Sequence, residues 1–411
     1  MLSFTRRQFA GLLASLGAQP GRLFGAGSAG NMDAVLRTGI ERRGIPAVAA
    51  IVATANGIAY SGAFGTRDSS SGVGVGIDSI FSIASMTKAI TSVAAMQMVE
   101  QGKVTLDEPM ARLLPNLGKV RILEGFDPDG KPVLRPAAKP ITLKHLLTHT
   151  SGFCYDTWHE GMFRYASYTG TLGERMADDP PPLQFEPGTR WQYGYSTEWA
   201  GRLVEALSGM TLEQYFQRNI FAPLGMKDTS FFLPPQKFDR LVSEFQKGPD
   251  GTLRQEPRIR PSPPKKFNGG GGLYSTVGDY VRVMQMILRA GRTADGDRLL
   301  KAETVETMAR NQIGNLSAGK LKSVRPEISA DVDFHPGFKD GFGLGFLINA
   351  TAYPGGRSAG TLAWAGLENT YYWIDRRRGL CAVIMMRFHP FGDPLAMGLL
   401  NDFEHAVYAS V

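Results

Sequence analysis

The sequence predicts an α+β fold: one antiparallel sheet flanked by helices, built from the N- and C-terminal segments, with a mostly helical region inserted between them. Two observations predict it. β-rich runs occur early, in "AVAAIVATANGIAYSGAFGTRD", and again late, in "GFGLGFLINA", "TLAWAG", "NTYYWID" and "LCAVIMMRF". Between them, from about 104 to 250, the chain turns Pro-rich and helical, with loops such as "ADDPPPLQFEPGTRW". Strands at both ends with helices between them read as a single sheet whose halves meet in space. The sheet part is expected over about 30–100 and 265–411, and the helical part over about 101–264. No internal repeat appears.

Taken in chain order, the first residues read "MLSFTRRQFAGLLASLGA". Arg6 and Arg7, followed by Phe9 and a short apolar run, resemble a twin-arginine export signal. Residues 1–29 are therefore read as an export leader and the protein as periplasmic or secreted; a short amphipathic helix on a cytoplasmic protein is the alternative. The apolar run is too short to remain as a bilayer span, so no stable membrane anchor is expected. "DAVLRTGIERRG" follows as a helix, then a hairpin around Asn56-Gly57. The next helix contains "FSIASMTKAIT", with Ser82 as its cap and Gly102 as its left-handed stop. Further on, "EPGTRWQYGYSTEWAGRLVEALSG" turns at Pro187 and Gly188, places Tyr193 in a loop, and starts a helix capped by Ser196 or Thr197. The last helix is "PLAMGLLNDFEHAVYA".

Composition narrows the function. At 411 residues, 43% hydrophobic and 20% charged, the chain has the length and apolar content for a substantial core. Its net charge of +7 comes from scattered residues. The one basic run, Arg376 to Arg378 in "DRRRG", reads as a solvated turn between strands, which argues against nucleic acid as a partner. Two cysteines, Cys154 and Cys381, are too few for a disulfide framework. His145 and His149 have the i, i+4 spacing of a helical zinc pair. Position 146 is Leu rather than the Glu a zinc hydrolase uses, so no metal is expected.

The chemistry concentrates at Ser85 and Lys88. On a helix these two stand one turn apart on the same face. Met86, Ile90, Val93, Ala94, Met96 and Met98 make that helix apolar on nearly every side, hence buried. Burial disfavours the charged form of an amine unless a partner offsets it, and a neutral amine is a base. A serine with a base within hydrogen-bond reach is an activated nucleophile. The same S-x-x-K spacing recurs at Ser262 to Lys265 and Ser317 to Lys320, where "RPSPPKK" and "LSAGK" break any helix. Context selects Ser85.

These pieces, together with Tyr193-Gly194-Tyr195, "LLTHTSG" at 146–152, "NGGGGLYSTVGDYVRVMQMIL" at 268–288 and Trp364-Ala365-Gly366, resemble the serine β-lactamase-like hydrolases in type and order. The chain looks most like the family VIII carboxylesterases, relatives of class C β-lactamases and D-amino-acid peptidases, over roughly residues 30–405. The resemblance implies a β-lactamase-like fold with Ser85 as the acylated nucleophile and Lys88 with Tyr193 as the proton-transfer pair. It implies an oxyanion hole made by the backbone N–H groups of Ser85 and of Leu367, just after Gly366. It also places Trp364 and Tyr195 at the substrate. Class C β-lactamases carry Lys and Asn at those two positions, so this chain departs from the pattern that binds a carboxylate and an amide. A Trp wall suits an uncharged ester, with weak activity on β-lactams left open.

One motif competes. "GRSAG", Gly356 to Gly360, fits the G-x-S-x-G elbow, and Asp375 and His389 follow in order. The elbow needs a strand before the serine and a helix after it. Ser358 has neither and is read as a loop residue. The sequence therefore predicts a cofactor-free serine esterase for a small-molecule ester, with β-lactamase, D-amino-acid peptidase, acyltransferase and a non-catalytic penicillin-binding-like receptor as alternatives. It assigns no oligomeric state.

Overall fold

A computed structural model describes residues 26–174 and 178–411; the proposed export signal at Arg6 and Arg7 lies outside the described residues. Helix α1 (Ala26–Glu41) leads into β1 (Ala47–Thr54) and β2 (Gly57–Asp68). The hairpin pairs Thr54 with Gly57, so it turns through Ala55 and Asn56. Short β3 (Val73–Gly74) and α2 (Thr87–Glu100) follow. Helix α3 (Ser196–Ser208) lies in the middle of the chain and α4 (Val277–Leu288) at the start of the C-terminal part. Strands β4 (Gly341–Phe342), β5 (Leu347–Ile348), β6 (Leu362–Gly366), β7 (Thr370–Asp375) and β8 (Leu380–Met385) precede α5 (Pro394–Tyr408).

The eight strands form one sheet in the order β4-β5-β6-β7-β8-β1-β2-β3, antiparallel throughout. The two ends of the chain meet where β1 pairs with β8, Ala49 opposite Met385 through Thr54 opposite Leu380. Both faces are covered. Neighbours along a strand point to opposite faces: Trp373 meets Phe403 of α5, whereas Tyr372 meets Tyr280 of α4. Helix α1 packs beside α5, and α4 lies on β1 and β8. This double cover explains why β7 and β8 are buried at every residue and read as continuous apolar runs instead of alternating ones.

The segment between α2 and α4 carries α3, the helices Leu143–Leu147 and Glu160–Thr169, and several shorter turns. It also contains strand pairs that no run in the sequence announces. Arg121–Phe126 pairs with Pro132–Pro136, and Phe245–Lys247 with Leu253–Gln255. The first pair does not alternate cleanly between buried and exposed residues, and the strands of the second are three residues each. Helix α2 is the joint of the fold: α3 packs against it, and the turn that precedes it lies along the end of β6. No helix among the described residues is long and apolar enough to cross a membrane.

Candidate active site

Ser85 lies on a single 3-10 turn, Ala84–Met86, immediately ahead of α2. The expected cap at Ser82 is replaced by a strand pairing, Ser82 opposite Tyr274, and the turn is entered through Ala84 at φ 40°. A non-glycine residue in that region is strained, and such strain persists only where the surroundings hold it. Behind the turn, α2 is buried from Thr87 to Met98, and Lys88 is 2% exposed. Its Nζ donates to Ser85 Oγ at 3.2 Å, to the Tyr155 hydroxyl at 3.1 Å and to the Gly270 carbonyl. These three contacts hold Nζ in place beside Ser85 Oγ.

Ser85 opens onto a narrow cleft whose walls are Trp158, Tyr193, Leu321, Phe334, Trp364 and Phe391, with Ala365, Gly366 and Leu367 along one side. None of these lining side chains is charged. Trp364 is held within an aromatic stack: its ring lies 4.9 Å from Tyr193 and 5.5 Å from both Phe334 and Phe342. The end of β6 approaches the nucleophile turn closely. A Cβ on Gly366 would come within 2.3 Å of the Ile83 carbonyl, so glycine is required for this contact.

The structure brings Ser85, Lys88, Tyr193, Trp364, Gly366 and Leu367 together and leaves Tyr195 outside the cleft. Tyr193 sits in the loop ahead of α3, 2% exposed, with its ring 4.9 Å from Lys88 Nζ. Its hydroxyl accepts a long hydrogen bond, 3.5 Å, from Trp364 Nε1. Tyr195 is turned away because the Tyr155 ring stands between it and the cleft, 4.6 Å from Tyr195 and 5.1 Å from Tyr193. Its hydroxyl instead reaches Asp156 at 3.5 Å. Helix α3 has no side-chain cap; Ser196 hydrogen bonds across to Ser151 at 2.8 Å.

Two site residues escaped the sequence reading. Tyr155 is the direct hydroxyl partner of Lys88, and it donates in turn to Glu198 Oε1. Glu198 is 2% exposed in the first turn of α3. No local pattern in the sequence marks Glu198. For Tyr155 the signal was only its place seven residues after "THTSG" begins.

His149 lies behind Tyr193, ring centroids 4.9 Å apart. Burial, reinforced by the nearby Lys88 charge, drives its pKa well below the ordinary histidine value, so it stays neutral. Among the described residues no group of three or more His, Cys, Asp or Glu is placed to hold a metal ion. Ser358 lies in the loop between β5 and β6. Its N–H donates to Asp375 Oδ2 at 2.9 Å, and His389 pairs with Glu244 instead, so the G-x-S-x-G residues do not converge.

The comparisons with known proteins agree in kind. The family model described as Beta-lactamase matches residues 32–405. Over 402 residues the chain is 33% identical to monacolin J acid methylbutanoyltransferase of Aspergillus terreus, covering 92% of this chain and 95% of the relative. It is 33% identical over 353 residues to a lovastatin esterase of Penicillium rubens, covering 81% of this chain and 86% of the relative. Among solved structures, unliganded simvastatin synthase of Aspergillus terreus superposes with a TM-score of 0.78 at 32% identity, covering 94% of this chain and 99% of that one.

Proposed function

The chain belongs to the beta-lactamase family of serine enzymes, and from that premise we propose that it moves a small, uncharged acyl group from an ester through an acyl-Ser85 intermediate to an alcohol or to water. The observation that carries this reading is Lys88 Nζ standing 3.2 Å from Ser85 Oγ beside an apolar cleft. Ser85 Oγ attacks the ester carbonyl carbon while its proton passes to Lys88. The carbonyl oxygen becomes an oxyanion facing the N–H groups of Ser85 and Leu367. The C–O bond to the leaving alcohol then breaks, and that alcohol takes the proton from Lys88, directly or by way of Tyr193. An incoming alcohol or water reverses these proton transfers and frees Ser85.

The cleft supports the choice of substrate. Its walls are apolar and uncharged, which suits an uncharged acyl group with the rest of the ester outside. With no cation on its walls, a β-lactam carboxylate finds no counter-ion there. The relatives, a methylbutanoyltransferase and an esterase, shift the weight from the esterase of the family VIII resemblance towards transfer to an alcohol. Apolar walls favour an alcohol acceptor over water on the same physical ground.

A serine-directed phosphonate tests the core of the reading: it should label Ser85 in the wild type, fail on Ser85→Ala and still label Ser358→Ala. Removing the nucleophile should cost several orders of magnitude in kcat, on the order of 10⁶ in other serine enzymes. With a p-nitrophenyl 2-methylbutyrate donor, added alcohols should yield a new ester. A wild type that takes no label, or a Ser358→Ala variant that folds and is inactive, overturns the assignment.

A further inference from the structure

The group behind the lysine has no role in the steps above. Lys88 Nζ donates to the Tyr155 hydroxyl at 3.1 Å, and that hydroxyl donates to Glu198 Oε1. The bond direction follows: with its hydrogen given to the carboxylate, the Tyr155 oxygen turns its lone pairs to Lys88. Gly270 joins the same pair from the other side. Its carbonyl accepts from Lys88, and a Cβ there would fall 2.3 Å from the Glu198 carboxyl carbon. The glycine run at 268–272 therefore lets one backbone carbonyl touch the lysine and leaves space for the carboxylate. Glu198 Oε2 is buried with no hydrogen-bond partner, so Oε1 and the field of the carboxylate are what this residue contributes.

We infer that Glu198, acting through the Tyr155 hydroxyl, is the counter-charge that positions Lys88 against Ser85 and steadies the proton on Lys88 between its removal from Ser85 and its delivery to the leaving alcohol. The inference rests on the acyl-Ser85 reading and assigns Tyr155 and Glu198 as positioning residues, since neither lines the cleft. A buried cation without an anion nearby is costly, and one bridging hydroxyl is a short separation. The groups facing Lys88 leave the task to Glu198. From its own turn comes the neutral Ser85 hydroxyl; from the 153–158 segment, Tyr155; from the loop before α3, the Tyr193 ring; from the 143–149 helix and its end, a neutral His149; from the glycine run, a carbonyl. Among the described residues, Glu198 of α3 is the carboxylate joined to Lys88 through a single hydroxyl. The two tyrosines thus divide: Tyr193 faces the cleft, and Tyr155 faces Glu198.

The test uses Glu198→Gln, Tyr155→Phe and the double variant, with the pH profile of kcat/KM for p-nitrophenyl butyrate, the rate of phosphonate labelling and the melting temperature. Each single variant should lower kcat about tenfold to a hundredfold, the scale of a misplaced catalytic group, with KM nearly unchanged. The double variant should lose little more than the worse single one, because the two residues act in series. Loss of the counter-charge makes the protonated base less favourable, so the acidic limb of the profile should move to lower pH in Glu198→Gln. A folded Glu198→Gln with an unmoved acidic limb, or additive losses in the double variant, overturns the inference. If Glu198→Gln does not fold, the acidic limb of Tyr155→Phe decides, since that change removes one hydroxyl and keeps the ring. Failure of the wild type to label at Ser85 would instead strike the acyl-enzyme reading.

Discussion

Gly366→Ala gives the sharpest test of the proposed oxyanion hole. The added methyl would meet two atoms at 2.3 Å, the Ile83 carbonyl oxygen and Thr370 Oγ1. The threonine can rotate; the carbonyl is backbone, two residues before Ser85, and cannot. Ordinary contact begins near 3.4 Å, so β6 and the nucleophile turn must separate by about 1 Å. Oxyanion donors act at about 2.7–3.1 Å, and loss of one costs about 10²–10³ in kcat, or about 2.7–4 kcal/mol. The variant should therefore lose activity on that scale with KM little changed, because acyl contacts to Trp158, Phe334 and Phe391 are elsewhere in the cleft. Steady-state kinetics on p-nitrophenyl butyrate, with circular dichroism and melting temperature, measure it. A folded variant whose kcat stays within about threefold of wild type would refute the claim that the Leu367 N–H completes the hole.

Trp364→Ala should cost about 3–5 kcal/mol in stability, because the indole is 4% exposed amid rings that cannot close over the void; chemical denaturation reads it. The same variant should gain on bulky acyl esters relative to butyrate, and an unchanged ratio would remove Trp364 from the acyl wall. His389 supplies a pH test of stability. Burial pushes its pKa down, but the hydrogen bond to Glu244 and the charges of Glu368 and Glu244 outweigh that and raise it above 6.5. Its contribution is therefore full below about pH 6.5 and is lost as pH rises through the raised value. Glu244, lowered from 4.5 chiefly by its bond to His389, contributes above about pH 4.5 and loses that as pH falls through the lowered value. Melting temperature should accordingly peak in mildly acidic solution and decline above pH 6.5, and His389→Gln should flatten that decline.

The sequence exposed what depends on local pattern or on spacing along one element. Ser85 and Lys88 are a turn apart, so any helix-like geometry brings them together, even though the true helix starts only at Thr87. The strands β7 and β8 announce themselves by composition, and their antiparallel pairing follows from the short turn between them. Tyr195 shows where this reasoning fails. The resemblance placed it at the substrate, but two residues on from Tyr193 in a loop can face either way, and the Tyr155 ring already occupies the intervening space.

Tyr155 and Glu198 were illegible for a related reason. They lie 67 and 110 positions from Lys88 in sequence, and nothing in either local stretch encodes the other. Their pairing is a product of α3 packing on α2 and of the glycine run passing between them. A buried lysine, once inferred from the α2 pattern, nonetheless implies an anion or a full set of acceptors somewhere in the fold. The α2 pattern therefore states that Lys88 needs such partners, and only the tertiary structure names Tyr155, Glu198 and Gly270 as the groups that meet the need.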